Sequence, residues 1–231
     1  MRSCHFILLL ILSMTIAMNG CAQDKQTPAP SGGNGSSLLL KAAAANDTAV
    51  IKQLLAGKTN IEARDNKQRT ALMLAVYQHH TAAAALLTAA GADVNAQDDM
   101  LNSPFLYAGA EGYLDILQLC LKAGANYKVY NRYGGTALIP ACERGHVEVV
   151  RTLLQDKTFP VDHVNRLGWT GLLEAIILSD GGPAQVQIVQ MLVDAGCNVN
   201  LADKDGVTPL AHARQRGFKA IAGVLERAGA K

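Results

Sequence analysis

Six histidines, five cysteines and 19 acidic side chains are the groups here that could carry chemistry. The histidines are His5, His79, His80, His146, His163 and His212. A zinc site would need paired Cys or His ligands a few residues apart, and no such spacing occurs. Asp162–His163 has the types of an orienting acid and a base, but no serine or cysteine nucleophile lies close by in sequence. A triad is defined by geometry, so spacing alone does not close that question. The glycine-rich run "SGGNGSS" has no Lys-Ser/Thr pair after it and no strand before it, which rules against a phosphate loop. Cys120, Cys142 and Cys197 stand at apolar or small positions and read as buried thiols, with a disulfide between two of them left open. The expectation is no catalytic residue, no metal and no cofactor. A formal net charge of +2, from 21 basic and 19 acidic residues, gives no electrostatic case for nucleic acid.

Before any fold there is a leader. Arg2 precedes an apolar run from Phe6 to Leu12, mostly sustained to Met18, which has the layout of a secretory signal over residues 1–20. It ends in "MNGC", which resembles the lipobox of bacterial lipoproteins. That resemblance implies cleavage before Cys21 and lipidation of Cys21; Ala22 after it implies an outer-membrane, periplasm-facing address. A soluble periplasmic protein with an ordinary cleaved signal is the alternative. Residues 21–37 are rich in Pro, Gly and Ser, and read as a flexible tether of roughly 20–25 Å.

The rest of the chain must position whatever the protein uses, and it repeats. "RTALMLAVYQHH" from Arg69, "NSPFLYAGAEGY" from Asn102, "GTALIPACERGH" from Gly135, "WTGLLEAIILSD" from Trp169 and "VTPLAHARQRGF" from Val207 align on Thr70, Ser103, Thr136, Thr170 and Thr208. These hydroxyls are 33, 33, 34 and 38 residues apart. "GADVNAQD", "GANYKVYN" and "GCNVNLAD" close successive units, and a degenerate first copy runs from Leu38 to Asn66. This pattern resembles the ankyrin repeat, on Gly-Val-Thr-Pro-Leu at 206–210, Gly-Gly-Thr-Ala-Leu at 134–138, Gly145-His146 and Gly-Ala-Asp-Val-Asn at 91–95. The resemblance covers residues 38–231. It implies an all-α repeat solenoid of about six helix-turn-helix units with finger-like β-turn loops, and structural roles for His80 and His146. Ala75, Ala108, Ala141 and Ala175 should let helices approach, and pairs such as Leu86–Leu87 and Leu153–Leu154 should fill the seams. Two units depart from the pattern, with "QDKTFPVDHVN" in one and Ser179–Gln185 inserted between the helices of the next.

The repeat register also resolves "NYKVYNRYGGTAL". Its tyrosines at intervals of three would suit a helical stripe, but alignment places them in a finger. Tyr127 takes an apolar base position, while Tyr130 and Tyr133 take variable, outward ones. Exposed aromatic and arginine side chains dominate interface energetics. The expected partner-binding residues are therefore Tyr130, Arg132, Tyr133, Arg166, Leu167 and Trp169, with Met100 and Arg69 on earlier fingers. Against this stands the possibility that these rings only stiffen the array. The resemblance implies a non-catalytic module for a protein partner, monomeric unless bound and reaching the membrane only through its lipid. The sharpest expectation is an immunity protein that neutralises a secreted toxic effector such as a phospholipase. The alternative is a periplasmic scaffold or stress-protective factor supporting an enzyme such as catalase.

Overall fold

The computed structural model describes residues 32–231; the expected leader, Cys21 and the expected tether as far as residue 31 lie outside the described residues. Among the described residues, twelve helices follow in six antiparallel pairs: α1 (Gly32–Ala44) and α2 (Thr48–Ala56), α3 (Ala71–Tyr77) and α4 (Thr81–Ala89), α5 (Pro104–Glu111) and α6 (Leu114–Lys122), α7 (Leu138–Glu143) and α8 (Val147–Leu153), α9 (Gly171–Ile177) and α10 (Pro183–Asp194), α11 (Pro209–Gln215) and α12 (Lys219–Arg227). First helices pack on first helices of adjacent pairs, and second on second, as a solenoid requires. Helix α1 begins at Gly32 instead of at Leu38, so Gly32–Ser37 are helical and not part of the expected tether. Leu39, Ala42 and Ala43 bury themselves against the next unit, and the helix they anchor continues upstream through the small residues before it.

Four of the first helices start where the aligned hydroxyl caps them. The side chains of Thr70, Ser103, Thr170 and Thr208 accept from the N–H groups of Met73, Leu106, Leu173 and Ala211. Their carbonyls also accept from Leu74, Tyr107, Glu174 and His212 at 2.9 to 3.0 Å. Thr136 is the exception. The donor that should meet its carbonyl is Pro140, which has no N–H. Helix α7 accordingly starts late, at Leu138, and among the described residues the buried Thr136 hydroxyl has no hydrogen-bond partner.

One continuous core runs through the seams. Leu87, Leu117, Leu153 and Leu192 are fully enclosed, with Ala75, Ala108, Ala141 and Ala175 at the points of closest approach. His80 and His146 tie units together through their ring nitrogens, which lie 3.1 and 3.2 Å from the carbonyls of Ala44 and Ala110 in the preceding pair. Gly112 turns between α5 and α6 at φ 76°, and a Cβ there would lie 2.6 Å from the His146 ring. The extra residue before α9 is absorbed by burying Phe159, whose ring lies 4.7 Å from that of Tyr127; the Tyr127 hydroxyl donates to Asp156. Tyr127 is thus the structural residue expected. The Ser179–Gln185 insertion is fastened to the last unit: Arg216 donates to the Ser179 carbonyl at 2.7 Å, and Gly181 lies against the Phe218 ring.

Gly109 tests how closely these helices approach. Inside an exposed helix, Gly→Ala ordinarily stabilises by about 0.5–1 kcal/mol. A Cβ at Gly109 would lie 2.7 Å from the Ala137 Cβ and 3.1 Å from its carbonyl oxygen, atoms that cannot swing away. Gly109→Ala should therefore destabilise by about 1–3 kcal/mol. Thermal unfolding checks this: the midpoint should drop by several degrees, and a rise would show that the α5–α7 contact is loose.

Candidate functional site: the finger tips and the groove they border

Each finger tip is held by one side-chain oxygen. Asp65 Oδ1 accepts from the N–H groups of Lys67 and Arg69, both at 2.9 Å. Asp98 Oδ1 does the same for Met100 and Asn102, Asn131 Oδ1 for Tyr133 and Gly135, Asn165 Oδ1 for Leu167 and Trp169, and Asp203 Oδ1 for Asp205 and Val207. All of these lie between 2.9 and 3.1 Å. A turn has no ladder to satisfy its donors, and here one acceptor satisfies two of them. Fingers are then tied in series: Arg64 Nη1 donates to the Gln97 carbonyl at 2.6 Å, Gln97 Nε2 to the Tyr130 carbonyl at 2.8 Å, and Arg166 N–H to the Tyr133 carbonyl at 2.8 Å. At the first two tips Gln68 and Leu101 adopt left-handed φ of 59° and 56°, where later tips have glycine. Leu101 does so while remaining exposed.

With the backbone secured, tip side chains are left outward. Tyr133 is 51% exposed, and Leu167 and Met100 are each 48% exposed. The Arg132 guanidinium lies 4.9 Å over the Tyr133 ring, and Arg166 Nη1 donates to the Arg132 carbonyl. Tyr130, also among the expected residues, sits differently from these. It is half-buried and stacks on His163 of the next finger, with centroids 4.4 Å apart and planes at 11°. Interleaving with the neighbour engages one face of its ring. Arg69 is likewise engaged within its own finger, its guanidinium 2.6 Å from Asp65. Trp169 is half-buried.

Below the tips the first helices α5, α7 and α9 line a groove of about 450 Å³. Of the expected residues, Arg132, Tyr133 and Leu167 reach it; Tyr130, Arg166, Trp169, Met100 and Arg69 do not line it. Its walls come from Tyr107 and Glu111 on α5, Pro140, Glu143 and Arg144 at α7, and Glu174 and Leu178 at α9. Leu178 is exposed at the far rim. Arg144 is paired with Glu111 at 2.6 Å. None of the helix residues was among those expected from the finger pattern. The available signal was variability in register: four residues after the aligned hydroxyl come Leu74, Tyr107, Pro140, Glu174 and His212, which share neither size nor polarity.

Glu174 is the unusual group. It is 5% exposed, and Oε1 accepts from Asn165 Nδ2 at 2.8 Å. Burial, reinforced by the nearby Glu143 carboxylate, pushes its pKa up to about 7 against the pull of the Asn165 hydrogen bond. The other titratable neighbours are committed or neutral. His212 on α11 meets Asp203 at 2.7 Å, Arg214 pairs with Glu226, and α10 brings only Asp194, bonded by Gln190. Burial pushes the Cys142 thiol well above its ordinary range, and those of Cys120 and Cys197 up to about 12; all three cysteines are free. Among the described residues no group of three His, Cys, Asp or Glu is placed to hold a metal ion.

Because the folded pKa of Glu174 exceeds its unfolded value of 4.5, the folded state binds more protons between about pH 4.5 and 7. Stability from this group is full below that window and falls as pH rises through it, by about 3 kcal/mol. Glu174→Gln keeps the acceptor for Asn165 and removes the titration. The thermal midpoint of Glu174→Gln minus that of the wild type should grow between pH 5 and pH 8. A constant or shrinking difference would contradict the assignment.

The architecture can now be set beside known proteins. The family model described as ankyrin repeats (3 copies) matches residues 5–98 and 105–203. The putative ankyrin repeat protein YahD of Escherichia coli K12 is 43% identical over 192 residues, covering 83% of this chain and 95% of its own. An ankyrin repeat domain from Acinetobacter baumannii AYE, solved as a crystal structure, shares 57% identity with a TM-score of 0.82, over 84% of this chain and 98% of that one. The ankyrin repeat protein EF0377 superposes with a TM-score of 0.80 at 36% identity, over 83% of this chain and 98% of its own. Matched along most of its length in both sequence and structure, the chain belongs to the ankyrin repeat family.

Proposed function

We propose that this chain is a non-catalytic protein-binding module, held in the periplasm at the outer membrane through a lipid on Cys21, that caps a secreted toxic effector such as a phospholipase and so acts as an immunity protein. The observation that carries the binding role is the groove bordered by Tyr133, Leu167 and Leu178, three exposed apolar residues around a cleft on one face. An aromatic anchor beside a cleft, with apolar neighbours that exclude water from it, is what a protein interface uses as its energetic centre. Ankyrin arrays serve generally as interaction modules, and the bacterial relatives share the array over nearly their whole length. The neutralising role is supported by the leader ending in Cys21 and the polar stretch after it, which would hold a rigid array near a membrane. A tethered binder needs no chemistry of its own; covering an effector's active site is enough.

The test is affinity capture from cells of the same organism with the mature protein, followed by mass spectrometry and measurement of the bound enzyme's activity. The expected catch is a secreted hydrolase whose activity falls on binding. Tyr133→Ala and Leu167→Ala should each weaken it by about tenfold or more. Capture that both variants leave unchanged would remove the groove rim as the interface. A catch consisting of a resident enzyme such as catalase, with its activity intact, would replace the neutralising role with a supporting one.

A further inference from the structure

We propose that the groove receives a lysine or arginine side chain of the protein partner, with its cation seated between Glu143 and Glu174. This rests on the groove being the docking face. Glu143 and Glu174 are on adjacent first helices and both line the groove. Asn165 occupies one oxygen of Glu174, and among the described residues no donor reaches the other. The Glu143 carboxylate has no hydrogen bond or ion pair among the described residues. The chain's own cations nearby are spent elsewhere. Arg144 is on Glu111 and the Ala110 carbonyl, and Arg132 lies over Tyr133.

A carboxylate 5% exposed in a helix otherwise apolar through its buried face is costly to keep charged. Placing a second carboxylate beside it raises that cost. An incoming cation removes both penalties together, and does so beside a carboxylate that is 5% exposed, where a charge pair is less screened than on the open surface. An anionic or neutral side chain gains neither. The Tyr107 ring, also lining the groove, adds a face that favours a guanidinium or ammonium. The exposed rim of Tyr133, Leu167 and Leu178 would then close around the aliphatic stem of the entering side chain. The occupant is therefore a basic residue flanked by apolar ones on a protein surface.

The probe is Nα-acetyl-arginine methylamide against its neutral citrulline counterpart, at matched ionic strength, on the mature protein. The readout is carbon NMR of the glutamate side-chain carboxyls, followed through pH. Bound arginine should lower the Glu174 titration midpoint by about one unit or more, and citrulline should leave it in place. Glu143→Gln should shrink the arginine-induced change at least severalfold. Because the wild-type titration needs no variant, a misfolded substitution cannot obscure the result. An equal response to both probes, or none to either, overturns the proposal. Loss of partner capture in Tyr133→Ala with a Glu174 midpoint unmoved by arginine would remove the cation seat and leave the docking face standing.

Discussion

The array depends on a single oxygen in each finger. Asp65, Asp98, Asn131, Asn165 and Asp203 each accept two backbone N–H groups, two and four residues on. A finger crosses open solvent between two units and has no sheet to hold it. Without that acceptor its donors would turn to water and its path would be one among many. With it, the chain leaves the tip at a fixed angle and delivers the next residue but one to the cap of a first helix. Thr70, Ser103, Thr170 and Thr208 can cap because the oxygen five residues earlier has set their approach. The ties between fingers, such as Arg64 to Gln97 and Gln97 to Tyr130, then convert single turns into a row.

This division of labour explains why large apolar side chains stand in solvent at the tips. Backbone and a side-chain oxygen hold the turn, so the side chains two residues beyond that oxygen are free of structural duty. Met100, Tyr133 and Leu167 occupy such positions. Asn165 links the two halves of the site, since its oxygen holds the Leu167 tip while its amide nitrogen holds Glu174 in the groove. A rigid rim over a buried acid is preformed, and a preformed surface loses less entropy on binding than one that must be ordered.

Much of this was legible in the residues and some was not. The helix pairs, caps and seams follow from period and from local chemistry, which recur from unit to unit. Thr136 broke the pattern because the decisive residue was Pro140, four positions away, acting through a missing N–H. Tyr130 looked like a variable outward position, and its partner His163 lies 33 residues on in the next finger, a contact that alignment by column does not reveal. The groove was missed for a similar reason. Alignment marks what units share, whereas a groove is made of what they do not share. Glu174 stands out only when its neighbours across units, Glu143 and Asn165, are known to converge on it.

The central claim is that side-chain oxygens keep the finger tips rigid, so the binding rim exists before any partner arrives. Amide hydrogen exchange on the free protein, with and without Asn131→Ala, measures this directly. The Tyr133 and Gly135 amides should be protected in the wild type and lose about tenfold or more of that protection in the variant, while amides of α3 and α11 stay unchanged. Tip amides that exchange at unprotected rates in the wild type would mean the fingers are loose turns, and the rim would have to form on binding.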